Sequence, residues 1–240
     1  MELKRGILAK YNGNNTTNHP YIMRLIKLEE LEKVVSFQNF VYDLLTDKQI
    51  LYIVSYEDMI EDMKLGAKII GIFNKEDELI AYRHISFPGL SDRNLGKDIQ
   101  LPENELVKVA QLERTLVHPD YRGNNLQRIT FQGAIPLLKE LGYRHLLTTI
   151  SPFNLFSLLN TMQNGLKIKA LKQKYQTGKD TNDGLWRFIL HKDLESIIDI
   201  DYTQSVTVPL EDLETQQNLI NDGFIGVELF TQSKSVKYIK

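Results

Sequence analysis

The stretch LVHPDYRGNNLQ, residues 116–127, lies where two hydrophobic periods meet. Ahead of it, ELVKVAQLERTLV (105–117) alternates apolar and polar residues as a long strand does. Behind it, LQRITFQGAIPLLKELG sets Leu126, Ile129, Leu137, Leu138 and Leu141 on one side of a helix that stops at Gly142. A polar turn between strand and helix gathers the first helical amides, which have no acceptor of their own, at the end of the helix dipole that favours negative charge. Arg122 adds a forked cation, Gly123 lets a ligand approach the backbone closely, and Asn124 or Asn125 tolerates left-handed or capping geometry. A pyrophosphate suits such a turn. On these grounds alone, a plain loop capped by asparagine suits it equally well.

The surrounding elements are legible from the same periods. A polar lead-in precedes a strand at 21–27, a helix at 28–45 and a shorter helix in YEDMIEDMKLG stopped at Gly66. AKIIGIFNKEDELIAYRHISFP reads as a hairpin, and Pro88, Gly89, Gly96 and Pro102 mark the loop that follows. Beyond the central turn, Pro136 predicts a kink or break in its helix. Then come a strand in YRHLLTTIS, a helix in PFNLFSLLNTMQNG, and strands in LKIKALKQKYQ and GLWRFILHKDL around the turn material TGKDTNDG. The tail offers a helix through Leu210, Leu213, Gln217 and Ile220, ended at Gly223, and one more strand. This order predicts an α/β fold of the mixed α+β kind, a mixed sheet with helices on its faces. The expected division is a main domain over 1–195, with a helix-strand extension over 196–240 packed on it.

Composition narrows the function. With 42% hydrophobic and 25% charged residues, the 240-residue chain is of ordinary globular type. The formal charge of -2 gives no global case for nucleic acid or an anionic membrane, so neither is expected as a partner. There is no cysteine, hence no disulfide framework and no thiol nucleophile. No apolar run has signal-peptide or membrane-span length, which predicts a cytoplasmic protein. Phosphate-loop, dinucleotide, nucleophile-elbow and zinc-protease motifs are missing, and the five histidines lack ligand spacing, so no metal is expected. The lysines from Lys167 to Lys179 read as charged protection of an exposed edge strand. Arg83 and His84 read as residues of a half-exposed strand, candidates for a substrate anion or proton relay. The tail helix suits core packing, with a homodimer face as the alternative.

LVHPDYRGNNLQ resembles the acyl-CoA signature of the GNAT acetyltransferase superfamily, V-x-P-x-x-R-G-x-G followed by a small residue: Val117, Pro119, Arg122 and Gly123 match at their offsets. Asn154, Ser157 and Gly165 match a second family pattern of Asn, small residue and Gly, and the element order agrees over 21–194. The resemblance implies a mostly antiparallel sheet flanked by helices, splayed between the long strand and the strand after the cofactor helix. It implies that acetyl-CoA or another acyl-CoA lies beside the splayed end. Leu116 and Val117 would present backbone groups to the pantetheine arm, the amides of Arg122, Gly123, Asn124, Asn125, Leu126 and Gln127 would hold the pyrophosphate, and Asn154 and Ser157 would lie near the thioester. The implied activity is N-acyl transfer from acyl-CoA to a primary amine of a small molecule or peptide, by direct attack in a ternary complex.

Several positions depart from the pattern. Asn125 and Gln127 stand where the family has a second Gly and a small residue, Thr161 falls on the usual Tyr acid, and Gln111 falls on the frequent base position. Glutamine accepts no proton at working pH, so Glu113, two residues on and on the same strand face, is the expected base, acting directly or through water. These substitutions also motivate an alternative: a catalytically impaired acyl-CoA-binding sensor or interaction module.

Overall fold

A computed structural model describes residues 1–12, 15–46, 48, 51, 53–175, 184–196 and 202–240. In chain order, β1 (Glu2–Asn12) and β2 (Asn15–Leu25) form a long hairpin, followed by helices α1 (Leu31–Asp43) and α2 (Tyr56–Lys64). A second hairpin, β3 (Lys68–Asn74) and β4 (Leu79–Ser86), precedes the short helix α3 (Glu103–Leu106), strand β5 (Val109–Val117) and helix α4 (Leu126–Glu140). Strand β6 (His145–Ile150), helix α5 (Leu155–Gln163) and strands β7 (Lys167–Lys174) and β8 (Leu185–Asp193) come next. The tail holds β9 (Ser205–Pro209), α6 (Leu213–Asn221), β10 (Ile225–Phe230) and β11 (Ser235–Ile239).

Four expectations need correction. The polar lead-in is strand β1: of its residues 2–9 only Leu8 is buried, so its own pattern is weak and its register comes from pairing with β2. β9 and β11 escape notice for a related reason, being short strands that pair with each other. Residues 105 and 106, expected in the long strand, belong to α3, which follows Pro102 at its cap and carries Glu103 and Glu105 in its first turn. Helix α4 continues unbroken through Pro136, where buried Ala134, Leu137 and Leu138 hold both sides of the lost hydrogen bond to the core. Gly142, at φ +82°, follows it as the expected stop. Of the turn material TGKDTNDG (177–184), residues 177–183 lie outside the described residues.

The chain forms two compact units, Met1–Phe87 with Leu112–Leu141, and Pro88–Gln111 with Gly142–Lys240. In the first, β1, β2, β3, β4 and the 112–117 part of β5 lie side by side in that order. The β1/β2, β2/β3 and β3/β4 pairs are antiparallel. Helices α1 and α2 bury Val34, Phe37, Val41 and Met59 against Ile69, Phe73, Tyr82 and Leu116 of the strands. Each such side chain contributes about 1.5–3 kcal/mol. Helix α4 packs on β3 and β4 from the other side, since Arg83 bonds to Thr130 of α4 while its neighbour Tyr82 packs against Phe37. With both faces covered, β4 is buried along its whole length. Arg83 and His84 are therefore interior residues, contrary to the half-exposed strand expected for them.

In the second unit the 109–111 part of β5 pairs in parallel with β6, the pairing running from Val109↔His145 to Gln111↔Leu147. The rest is antiparallel: β6 with β8, β8 with β7, β7 with β10, β10 with β11, and β11 with β9. The Lys-rich β7 is thus an interior strand rather than an edge. Lys167 spends its ammonium on Val227 O, 3.1 Å away, and burial pushes the Lys169 pKa down.

The tail helix departs from its sequence pattern at Gln216, its one fully buried residue, while Leu210 lies outside the helix. Gln216 Nε2 donates to the carbonyls of Pro209, Leu210 and Asp212, and its Oε1 accepts from Tyr238 Oη at 2.9 Å. A glutamine here satisfies four groups that leucine would strand. Gln216→Leu should lower stability by about 2–4 kcal/mol, read as a shift of the urea midpoint with unchanged slope.

Candidate functional site

The turn between β5 and α4 is shaped from below, from the side and by its own backbone. His118 stacks on Phe40 with ring centroids 5.1 Å apart, and Tyr121, 2% exposed, packs edge-on to His118 at 5.8 Å. These rings plant the start of the turn in the first unit. Asn124 ties its far side to β1: Ala9 N donates to Asn124 Oδ1 at 2.8 Å, and Asn124 Nδ2 donates to Ala9 O and Tyr121 O. Its side chain is committed to structure, so toward a ligand it can offer only its backbone.

Between these anchors the backbone is left-handed at Gly123 (φ +83°) and again at Asn125 (φ 56°, ψ 30°). Asparagine is among the few side chains that adopt this conformation readily. Asn125 thereby takes the backbone geometry that a glycine would take at the same place. It makes no side-chain cap bond. The first amide with a helical acceptor is that of Ile129, which donates to Asn125 O at 2.9 Å. Among the described residues, the amides from Gly123 to Arg128 meet no acceptor. Exposed Arg122 stands at the same bend; its amide donates to Pro119 O at 3.1 Å, while its guanidinium has no hydrogen bond or ion pair with any described residue. A run of open amides, a helix dipole and a free cation are the donor set of an oxyanion cradle.

The first turn of α4 is held by a residue whose position sequence reading misjudged. Arg83 donates from Nη2 to Gln127 O at 2.9 Å and from Nε to Thr130 Oγ1 at 3.2 Å. Thr130 Oγ1 in turn donates back to the Leu126 and Gln127 carbonyls. Burial pushes the Arg83 pKa down, and no carboxylate lies within ion-pair distance among the described residues. Gln127 thus contributes its carbonyl inward. Leu126 is 2% exposed and fills the core beneath the cradle.

The remaining expected residues fall into separate places. Leu116 is buried and Val117 half-buried on β5, and His118 N bonds to Ile80 O of β4 at 2.8 Å. Glu113 Oε1 accepts a short hydrogen bond from Ser86 Oγ, both within the first unit. Gln111, in the second unit, accepts from Leu95 N at 2.7 Å and so fastens the loop after β4. On α5, Asn154 caps the helix by accepting from Ser157 N at 3.1 Å, a role that needs no ligand. The Thr161 carbonyl accepts from the amides of Asn164 and Leu166 at the end of that helix. Sequence reading missed Ser86 as the partner of Glu113 and Arg114 as the neighbour of His84. No motif marks them, and only the side-by-side placement of β4 and β5 brings them together.

Solved structures share this architecture. An N-acetyltransferase from Staphylococcus aureus Mu50 is 16% identical, covers 73% of this chain and 99% of its own, and superposes with a TM-score of 0.53. The Salmonella typhimurium protein yncA, solved with its cofactor acetyl-CoA, is 13% identical over 75% of this chain and 98% of its own, with a TM-score of 0.54. An acetyltransferase of the GNAT family from Streptococcus pneumoniae is 14% identical over 72% and 99%, with a TM-score of 0.52. No protein-family model matches the sequence, and no curated protein matches it either. The chain has a GNAT-like fold: a mixed, mostly antiparallel sheet flanked by helices.

Because position 125 is left-handed, Asn125→Gly should leave stability within a few tenths of a kcal/mol, whereas Asn125→Val should cost about 1–2 kcal/mol. Thermal unfolding of the two variants side by side checks this.

Proposed function

We propose that this chain is an N-acyltransferase that moves an acetyl or longer acyl group from acyl-CoA to a primary amine. The observation that carries the reading is the cradle at the start of α4, in which the amides from Gly123 to Arg128 and the Arg122 guanidinium face no acceptor among the described residues. The residues present fit a pyrophosphate: its charge matches the helix dipole, and the left-handed turn leaves no side chain of position 123 in the way. The GNAT-like fold supports acyl-CoA as the bearer of that pyrophosphate, since one neighbour holds acetyl-CoA. Leu116 and Val117 would line the pantetheine arm from β5. Bound acyl-CoA supplies a thioester carbonyl; the amine nitrogen bonds to it, the carbon–sulfur bond breaks, and the thiolate leaves with a proton.

The chain's own contribution is positioning and proton removal. Glu113 is the candidate base, its carboxylate oriented by the Ser86 hydroxyl. Gln111 is set aside from that role because its carbonyl is engaged by Leu95 N. A second reading, an acyl-CoA-binding module without transfer, is favoured by Thr161 in the place of the family's Tyr acid.

Acetyl-CoA at about 100 times its Kd should stabilise the protein by about 2.7 kcal/mol, seen as a rise in Tm, and Arg122→Ala should weaken that binding while leaving the ligand-free Tm in place. No rise with any acyl-CoA would remove both readings. Thiol release across a panel of amines separates enzyme from binding module. Glu113→Gln should slow thiol release by about 10²–10⁴-fold with the acetyl-CoA Tm shift retained.

A further inference from the structure

On the α1/α2 side of the first unit, Tyr82 Oη, His84 Nε2 and Arg114 Nε are buried without a hydrogen-bond partner among the described residues. Tyr82 and His84 have no exposed surface at all. Successive odd-even alternation along β4 puts both on one face, and Arg114 Nη1 of β5 stands 3.4 Å from His84 Nδ1. Burial, with the Arg114 charge second, pushes His84 down to about 3, so the imidazole is neutral. Arg114 donates toward Nδ1, which leaves the hydrogen on Nε2. All three orphaned groups are therefore hydrogen-bond donors, and each bears an unreturned desolvation cost.

Their charge says what they await. Arg114 has no carboxylate within ion-pair distance among the described residues. Asp62 of α2 approaches His84 Nε2 to 3.6 Å, beyond hydrogen-bond length, and its single negative charge offsets that of Arg114. A nearly neutral cluster of donors takes a monoanion with low charge density more readily than a phosphate dianion. Ser86, next on the same face of β4, holds Glu113, the residue before Arg114. The serine that holds the candidate base thus lies two residues along β4 from His84.

We propose that Tyr82, His84 and Arg114 form a binding site for a carboxylate, and that its bearer is the acyl acceptor, a free amino acid whose amine lies toward Glu113. The identity of the bearer as acceptor rests on the acyltransferase reading; the carboxylate site does not. The planar fork of Arg114 matches a carboxylate edge, and the Tyr82 hydroxyl and His84 Nε2–H supply the remaining donors.

Calorimetric titration of the full chain with free L-amino acids, their carboxamides and inorganic phosphate tests this directly. At least one amino acid should bind about tenfold or more tightly than its carboxamide and than phosphate, the preference vanishing in Arg114→Met. Tyr82→Phe covers the case in which Arg114→Met fails to fold. It should leave the ligand-free Tm equal or higher, because it deletes an unpaired buried hydroxyl, yet weaken amino-acid binding about tenfold. The proposal is overturned if no amino acid outbinds its carboxamide, if phosphate binds best, or if Tyr82→Phe lowers the ligand-free Tm without changing binding. Amino-acid binding without thiol release from acetyl-CoA would uphold the carboxylate site and defeat the acyltransferase reading instead.

Discussion

The left-handed backbone at Gly123 and Asn125 decides where α4 begins and which way its first amides face. A helix starting one residue earlier would pair the Arg128 amide and turn the remaining open amides by about a hundred degrees. The rest of the first unit is arranged to keep the turn in that state. Tyr121 anchors it in the core, Asn124 pins it to the backbone of β1, and Arg83 ties the carbonyl of Gln127 to β4. The long hairpin of β1 and β2, which adds little apolar burial at its start, thereby has a mechanical role: it is the strut against which the turn is clipped.

Two guanidinium groups lie on opposite faces of the same short span of sheet, buried Arg83 toward α4 and half-buried Arg114, whose Nε is covered, toward α1 and α2. Neither has a carboxylate within ion-pair distance among the described residues. Interior cations are costly unless paired or well hydrogen-bonded, so each needs a separate account. Arg83 has one in the protein itself, since its donors reach a helix carbonyl and a threonine hydroxyl. Arg114 has only a neutral imidazole at the limit of hydrogen-bond length. That difference is the basis of the carboxylate site proposed at Arg114.

Much of the framework was legible in the sequence because it follows short-range periods. Helices α1, α2, α4 and α5 and the β3/β4 hairpin announce themselves through apolar spacing and glycine stops. The turn was legible too, since Arg122, Gly123, Asn124 and Asn125 lie between a strand period and a helix period. What escaped was whatever depended on neighbours. β1, β9 and β11 are strands by pairing more than by pattern, Gln216 is buried because its amide completes a set of backbone bonds, and β7 is interior because β10 lies beside it. The likeness of Gln111 and Glu113, two residues apart on one strand, also dissolved in three dimensions, one holding a loop amide and the other a serine hydroxyl.

By itself the sequence determined the element order, the position of the polar turn and its anion-friendly chemistry, because helix and strand periods, φ preferences and helix-end amides are local properties of the chain. Only the tertiary structure decided that Arg83 and His84 are interior, that Ser86 meets Glu113, and that Tyr82, His84 and Arg114 leave three donors unpaired at one place. Burial and unpaired donors depend on which strands and helices cover one another, and no period in a single chain records that.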